Sequence, residues 1–408
     1  MRRITWLLLL LFAFAIPWEY SLDLGEPLGN IARILGLLTL LAAIPAVLQA
    51  GRMHPLGPMQ WLVLAFFLWF CCTYFWTIAP DVTLYKLRGN FQELVIVWLV
   101  WEFAESSSDL RALMRAAVAG SWVLALLTLA TFASASAMAA QQIRFAATGQ
   151  DPNDVARYLN LSIPLAALLV NSERRWPWRS LAAGYLPLGL VAVLLTASRG
   201  GFLAAMVGFA GSLVLLVHGH SRRALAGALA LPPLAAIIWA IIPRGSLERL
   251  ATITEQLHGN DLNQRWNIWE AGWQAFTRAP IFGTGAGTFV SAAGTASIDT
   301  AHNTALSIVV AGGLCALFLA TAIVALAVWS ITQIRGPLKG ALGTALAVWF
   351  ITSLVATVED NRTTWLLLAI IALAARLAAD EPEKLAACFP APLPPETSVP
   401  AEATTNPS

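Results

Sequence analysis

Arg199, Arg265 and His302 are the side chains in this sequence whose type and setting could do chemistry. Arg199 sits in Thr196-Ala197-Ser198-Arg199-Gly200-Gly201, a polar turn that interrupts a long hydrophobic stretch, with glycines that let backbone approach a ligand closely. A tight turn with an incidental arginine fits the same residues. Arg265 opens Arg265-Trp266-Asn267-Ile268-Trp269-Glu270-Ala271-Gly272-Trp273, where three tryptophans recur at helical spacing. Such a stripe suits a helix lying in a membrane interface, with rings at headgroup depth. A packed lid helix with a solvated Arg265 is the plain alternative. His302 stands in Asp299-Thr300-Ala301-His302-Asn303-Thr304, where a long polar segment meets an apolar run. Its neutral imidazole could accept a proton there, although a histidine capping a helix also fits.

Other ionisable groups fall on the same side of the expected spans. Lys86, Arg88 and Arg157 are candidate binding residues, as is Asn303 beside His302. A cation at a span edge costs free energy unless it snorkels to headgroups or meets a partner. Several converging on one cavity would instead favour anion binding, for which the planar fork of arginine is suited. Glu359 and Asp360 occupy the short turn Val358-Glu359-Asp360-Asn361-Arg362, where one could orient His302 or pair with Arg362. Asp151-Pro152-Asn153-Asp154 is a helix-start signal. No Asp-x-Asp, His-Glu-x-x-His or phosphate-loop motif is present. A divalent-metal enzyme, an ATP-driven pump and a bound cofactor are therefore not expected. The four cysteines lack both metal-ligand spacing and a disulfide pattern.

The elements that must position these residues follow from hydropathy. Of 408 residues, 58% are hydrophobic and 12% are charged, against about 25% charged in ordinary soluble proteins. An all-α polytopic integral membrane protein is the expected fold class, with about twelve spans of roughly bilayer length. They are placed at about 4–17, 31–49, 59–79, 91–104, 112–133, 155–171, 181–197, 201–217, 224–242, 303–332, 338–358 and 363–378. Basic loops around Arg52, Arg111, Arg115, Arg174, Arg222 and Arg335 assign one face, with both termini, to the cytoplasm. The acidic Glu19, Asp23 and Glu26 loop and the segment 243–301 then face the other way. Residues 1–379 form the membrane domain, and 380–408, rich in Pro, Ala, Glu and Thr, read as a disordered tail. The net charge of +2 gives no reason to expect nucleic acid.

With these residues in view, the sequence resembles the bacterial O-antigen ligase and O-antigen polymerase superfamily from about residue 60 to 375. The likeness rests on Asp151-Pro152-Asn153, Ser198-Arg199-Gly200, Arg265 with its tryptophans, Gly283-x-Gly285-x-Gly287 with Phe289, and His302-Asn303-x-x-Leu306. It implies a metal-independent, type C glycosyltransferase without cofactors. Such an enzyme moves a glycan from undecaprenyl diphosphate at the periplasmic face of the inner membrane. The ligase branch, to which the chain is most similar, delivers O-antigen to the lipid A core. A polymerase, a protein O-oligosaccharyltransferase and a lipid-linked glycan transporter are the alternatives. Under the ligase reading Arg199 and Arg265 clamp the diphosphate, Lys86, Arg88 and Arg157 offer further contacts, and His302 is the base.

Overall fold

A computed structural model of the chain describes residues 1–25, 29–135, 143–217, 236, 240, 242–252, 265–296 and 300–390. The fold is all-helical, and the described residues contain no β-strand. Eight of their helices are long and apolar enough to cross a membrane. These are α1 (Arg2–Ala15, continued by a 3-10 turn Ile16–Ser21), α2 (Ile31–Ala50), α3 (Pro58–Cys72, with its 3-10 extension), α5 (Ser107–Ser134), α7 (Trp176–Leu195), α8 (Arg199–Val217), α12 (Thr304–Gln333) and α14 (Arg362–Asp380). Helices α4 (Pro80–Phe103), α6 (Pro152–Ser172) and α13 (Pro337–Ser353) complete the bundle. Three shorter helices, α9 (Arg244–Ala251), α10 (Arg265–Arg278) and α11 (Phe289–Ala293), belong to the long segment before α12.

Most observed helices lie within a few residues of the expected spans, and two departures have clear causes. The span expected at 91–104 is the second half of α4, so Lys86 and Arg88 lie inside a helix instead of a loop. Pro80 in the first turn and Asp81 near the positive helix end start α4 early, while Lys86, Asn90 and Glu93 lower the hydropathy that marks a span. Beyond α14, the chain does not loosen at Asp380. Helix α15 (Pro382–Cys388) follows, burying Leu385 and Phe389 against the bundle. Its end is held by Arg111, which donates to the Cys388 carbonyl, and by the Cys388 thiol on Ser107 O at 3.2 Å. The span expected at 224–242 lies largely outside the described residues, as do Arg222, Asp299 and the remainder of the tail from 391.

Helix α6 forms the centre of the bundle. From Val155 to Leu169 every residue is buried, and polar groups tie it to its neighbours. Tyr185 Oη donates to Leu159 O at 2.7 Å, Asn160 Nδ2 to Gly201 O at 2.7 Å, and the Ser121 and Ser162 hydroxyls meet at 2.8 Å. With no water in the bilayer core, such bonds join helices that apolar packing alone holds weakly. Gly201 serves this packing: a Cβ there would stand 2.4 Å from that of Ala156.

Helix α12 is broken at Gly313, whose φ of 67° is non-helical. The chain at 280–285 fills the break. Leu314 N donates to Pro280 O at 2.9 Å, while Thr284 N and Gly285 N donate to Val310 O and Ala311 O, each at 2.9 Å. The glycine-rich run therefore supplies the bonds that the interrupted helix gives up, which fixes α10 and α11 against the start of α12.

Candidate functional site

One end of the bundle gathers the starts of α4, α6, α8, α12 and α14. Asp151 caps α6 through Asn153 N at 2.7 Å, with Pro152 in the first turn. Capping leaves the Asn153 side chain free for tertiary contacts. Its Oδ1 accepts from Arg144 Nη2 and from Ser198 Oγ, both at 2.8 Å. Arg144 also donates through Nε to Thr196 O at 3.2 Å. The helix-start motif and the Ser198-Arg199 turn are thus one assembly, joined by an asparagine and an arginine.

Arg199 starts α8 and donates to Arg249 O at 3.0 Å and Thr252 Oγ1 at 2.6 Å, while Arg249 Nε returns a bond to Ala197 O at 3.3 Å. Arg265 stands within electrostatic range of both Arg199 and Asp151. Burial is the main influence on Arg265 and pushes its guanidinium below the ordinary value; Asp151 opposes this and Arg199 adds to it. Arg144 is lowered in the same way, first by burial, with Asp151 opposing and Arg249, Arg265 and Arg199 reinforcing. Arg144 and Arg265 lie in the field of Asp151, and Arg199 and Arg249 lie within electrostatic range of Arg144, so four half-buried guanidinium groups cluster in an arrangement that favours an added anion. Arg144 and Arg249 are visible in the sequence only as two of several basic residues expected on the site-bearing side, outside any motif; their bonds to the Asn153 and Ala197 segments single them out.

His302 has a φ of 46°, one of two non-glycine residues in the left-handed region among those described; Ala197, two residues before Arg199, is the other. Strained backbone of this kind persists where the surroundings fix it, often at functional sites. The helix cap of α12 is Asn303, whose Oδ1 accepts from Leu306 N at 2.9 Å and whose Nδ2 donates to Leu354 O at 3.2 Å. Capping thus falls to Asn303, and His302 stands one residue before it. The His302 Nδ1 lies 3.5 Å from Thr300 Oγ1, and the ring is within electrostatic range of Asp154. Trp269 of α10 bonds Ala301 O at 3.0 Å, linking the helix of Arg265 to the residue before His302.

The remaining candidates divide. Arg157 is 2% exposed and bound to Asp154 at 2.9 Å. Lys86 pairs with Asp360, and Arg362 pairs with Glu19 and Gln92 rather than with Glu359 or Asp360. Arg88, two residues along α4 from Lys86, is exposed on a different helix face. Glu359 lines a cavity together with Lys86, Glu93 and Asp360. Burial raises its carboxyl above the ordinary range and the Lys86 charge lowers it. Asp154 lies within electrostatic range of His302. Among the described residues, no three His, Cys, Asp or Glu side chains gather where they could hold a metal ion.

Residues 183–321 match the O-antigen ligase family model. That region begins in α7 and takes in Arg199, Arg249, Arg265 and His302, ending within α12. Over that region the chain is similar to the O-antigen ligase and polymerase superfamily, and its apolar helices fit a multi-pass membrane protein. No curated protein is similar enough to the chain to count as a match.

Proposed function

We propose that this protein is an O-antigen ligase, which moves a glycan from undecaprenyl diphosphate to the lipid A core at the periplasmic face of the inner membrane. The observation that supports this reading best is the cluster of Arg144, Arg199, Arg249 and Arg265, two of them in the field of Asp151, at the end of the bundle that bears His302. A lipid diphosphate is a good leaving group once its charge is neutralised, so preorganised cations are the main requirement. Guanidinium groups remain charged and bind phosphate oxygens in pairs. Asn153 and the Arg249 carbonyl hold two of those groups in place before donor arrives.

In the proposed reaction the acceptor hydroxyl oxygen forms a bond to the anomeric carbon, and the bond from that carbon to the diphosphate oxygen breaks. The diphosphate leaves with the electron pair, held by the arginines. The hydroxyl proton passes to His302, which Asp154 helps to stabilise as a cation. Attack opposite the leaving group inverts the anomeric configuration, and no metal takes part. Purified protein in liposomes, given undecaprenyl diphosphate-linked glycan and lipid A core, tests the reading: a glycosylated core of inverted linkage is expected. Failure to form it with a competent donor, or growth of the glycan on the donor lipid instead, would overturn the ligase assignment.

A further inference from the structure

A cavity of about 120 Å³ lies between α3, α4, α11, the start of α12 and the turn before α14, apart from the arginine cluster. Lys86, Asn90 and Glu93 recur at helical spacing along α4, so that one face of a bundle helix supplies its polar wall. Glu359 and Asp360 supply the opposite wall, and the phenyl rings of Phe66, Phe70 and Phe289 supply apolar surface.

Polar groups here are short of partners. Glu93 is 5% exposed and stands within electrostatic range of Lys86 and Arg362. Glu359 Oε2 and Thr357 Oγ1 are buried without a hydrogen-bond partner and line the same cavity. Buried polar groups are ordinarily satisfied, because leaving them bare costs on the order of 1–3 kcal/mol each. The chemistry of the walls narrows what could satisfy them. An anion would meet three carboxyl groups and one lysine already engaged by Asp360. A purely apolar ligand would leave Glu359 Oε2 and Thr357 Oγ1 bare. A neutral polyhydroxyl compound answers both demands: its hydroxyls bond carboxyl oxygens, and its C–H faces pack against aromatic rings.

We infer that this cavity is a saccharide subsite, in which Glu93, Asn90 and Glu359 bind the hydroxyls of a neutral sugar residue of the acceptor. The assignment to the acceptor rests on the proposed transfer reaction. Thr300 lines the cavity and its Oγ1 also meets His302 Nδ1, so a sugar held here would border the base. The donor diphosphate belongs with the arginines, which lie toward Asp151.

The test uses the full-length protein in nanodiscs, with a phosphate-free oligosaccharide of the core as probe. Its equilibrium binding is measured calorimetrically for wild type, Glu93→Gln, Glu93→Leu and Asn90→Ala, alongside the KM of donor and acceptor in the transfer assay. Glu93→Leu is expected to weaken oligosaccharide binding and raise the acceptor KM at least ten-fold, with donor KM unchanged. Glu93→Gln keeps one acceptor oxygen and should lose less. Asn90→Ala, a smaller change to the fold, should weaken binding even if Glu93→Leu proves unstable. Binding that is the same in all four proteins would mean that the cavity holds only water, and a shift confined to donor KM would place a different ligand there. Either result overturns the subsite. If wild type transfers no glycan yet binds the oligosaccharide through Glu93, the ligase reading fails and the saccharide subsite stands.

Discussion

The indole N–H of Trp269 donates to the carbonyl oxygen of Ala301 at 3.0 Å, fastening the helix that begins at Arg265 to the residue before His302. The bond sets the spacing between a leaving-group cation and the proposed base. Trp269→Phe retains an aromatic ring and removes the donor. Loss of one such bond is worth about 1 kcal/mol, and misplacement of the pair should lower kcat several-fold while both KM values hold. An unchanged kcat would show that the helix is placed by packing alone.

The arginine cluster should respond unequally to substitution. Arg199→Ala and Arg265→Ala each remove a charge-assisted contact, worth about 3 kcal/mol or roughly two orders of magnitude in rate. Lysine at either position restores charge without the fork and should rescue only partly. Arg144→Ala should also lower activity, although it lies outside the obvious motifs, because its guanidinium holds Asn153 and faces the same Asp151. Wild-type transfer by any of these variants would remove that residue from the site.

Much of this was legible in sequence, and the misses have physical causes. Spans such as α8 and α12 announce themselves because lipid-facing helices must be apolar almost throughout. Only the second half of helix α4 did, since polar residues of its earlier turns face a cavity and a hydropathy window averages over all faces. Arg199, Arg265 and His302 were conspicuous as ionisable groups at breaks in hydrophobic sequence. Arg144 and Arg249 could be read only as members of a larger set of basic residues on that side, because their contacts join segments about fifty residues apart, and single-sequence spacing carries no such pairing. The glycines near 285 were visible as a motif, but their task, filling the break at Gly313, appears only in three dimensions.

The side of the membrane that bears the site can be checked directly. In a background with the four native cysteines replaced, Ala296→Cys lies in the long segment at the site-bearing end, and Arg335→Cys lies at the opposite end; both positions are exposed. An impermeant thiol reagent admitted to the periplasm should label the first and spare the second until the inner membrane is opened. The reverse pattern would place the arginines in the cytoplasm and end the proposed use of a periplasmic donor.

Burial of Glu359 gives the protein a pH dependence whose sign is fixed. Its folded-state carboxyl titrates above the ordinary value, chiefly through burial, with Lys86 opposing. The folded protein therefore binds this proton more tightly than the unfolded chain. The resulting stabilisation is fully present below the unfolded carboxyl value and is lost as pH rises through the raised folded value. Glu359→Gln should flatten that decline when thermal unfolding in detergent is followed upward from pH 4. A steeper decline in the glutamine variant would mean that ionised Glu359 stabilises the turn.

His302→Gln separates hydrogen bonding from basicity. Asn303 already caps α12, so the substitution should leave the helix start intact, and the protein should fold and insert normally. General-base catalysis contributes about two to four orders of magnitude, so the glutamine variant should lose transfer by that factor while still binding the donor lipid, which depends on the arginines. A strained backbone at residue 302 offers an internal control. His302→Gly relieves the φ of 46° and removes the ring, and should be as stable as wild type yet equally inactive. Near-normal transfer by His302→Gln would make residue 302 a positioning group, and the proton would then have to be taken by a carboxylate, with Asp154 the first to substitute because it lies in the field of the same ring.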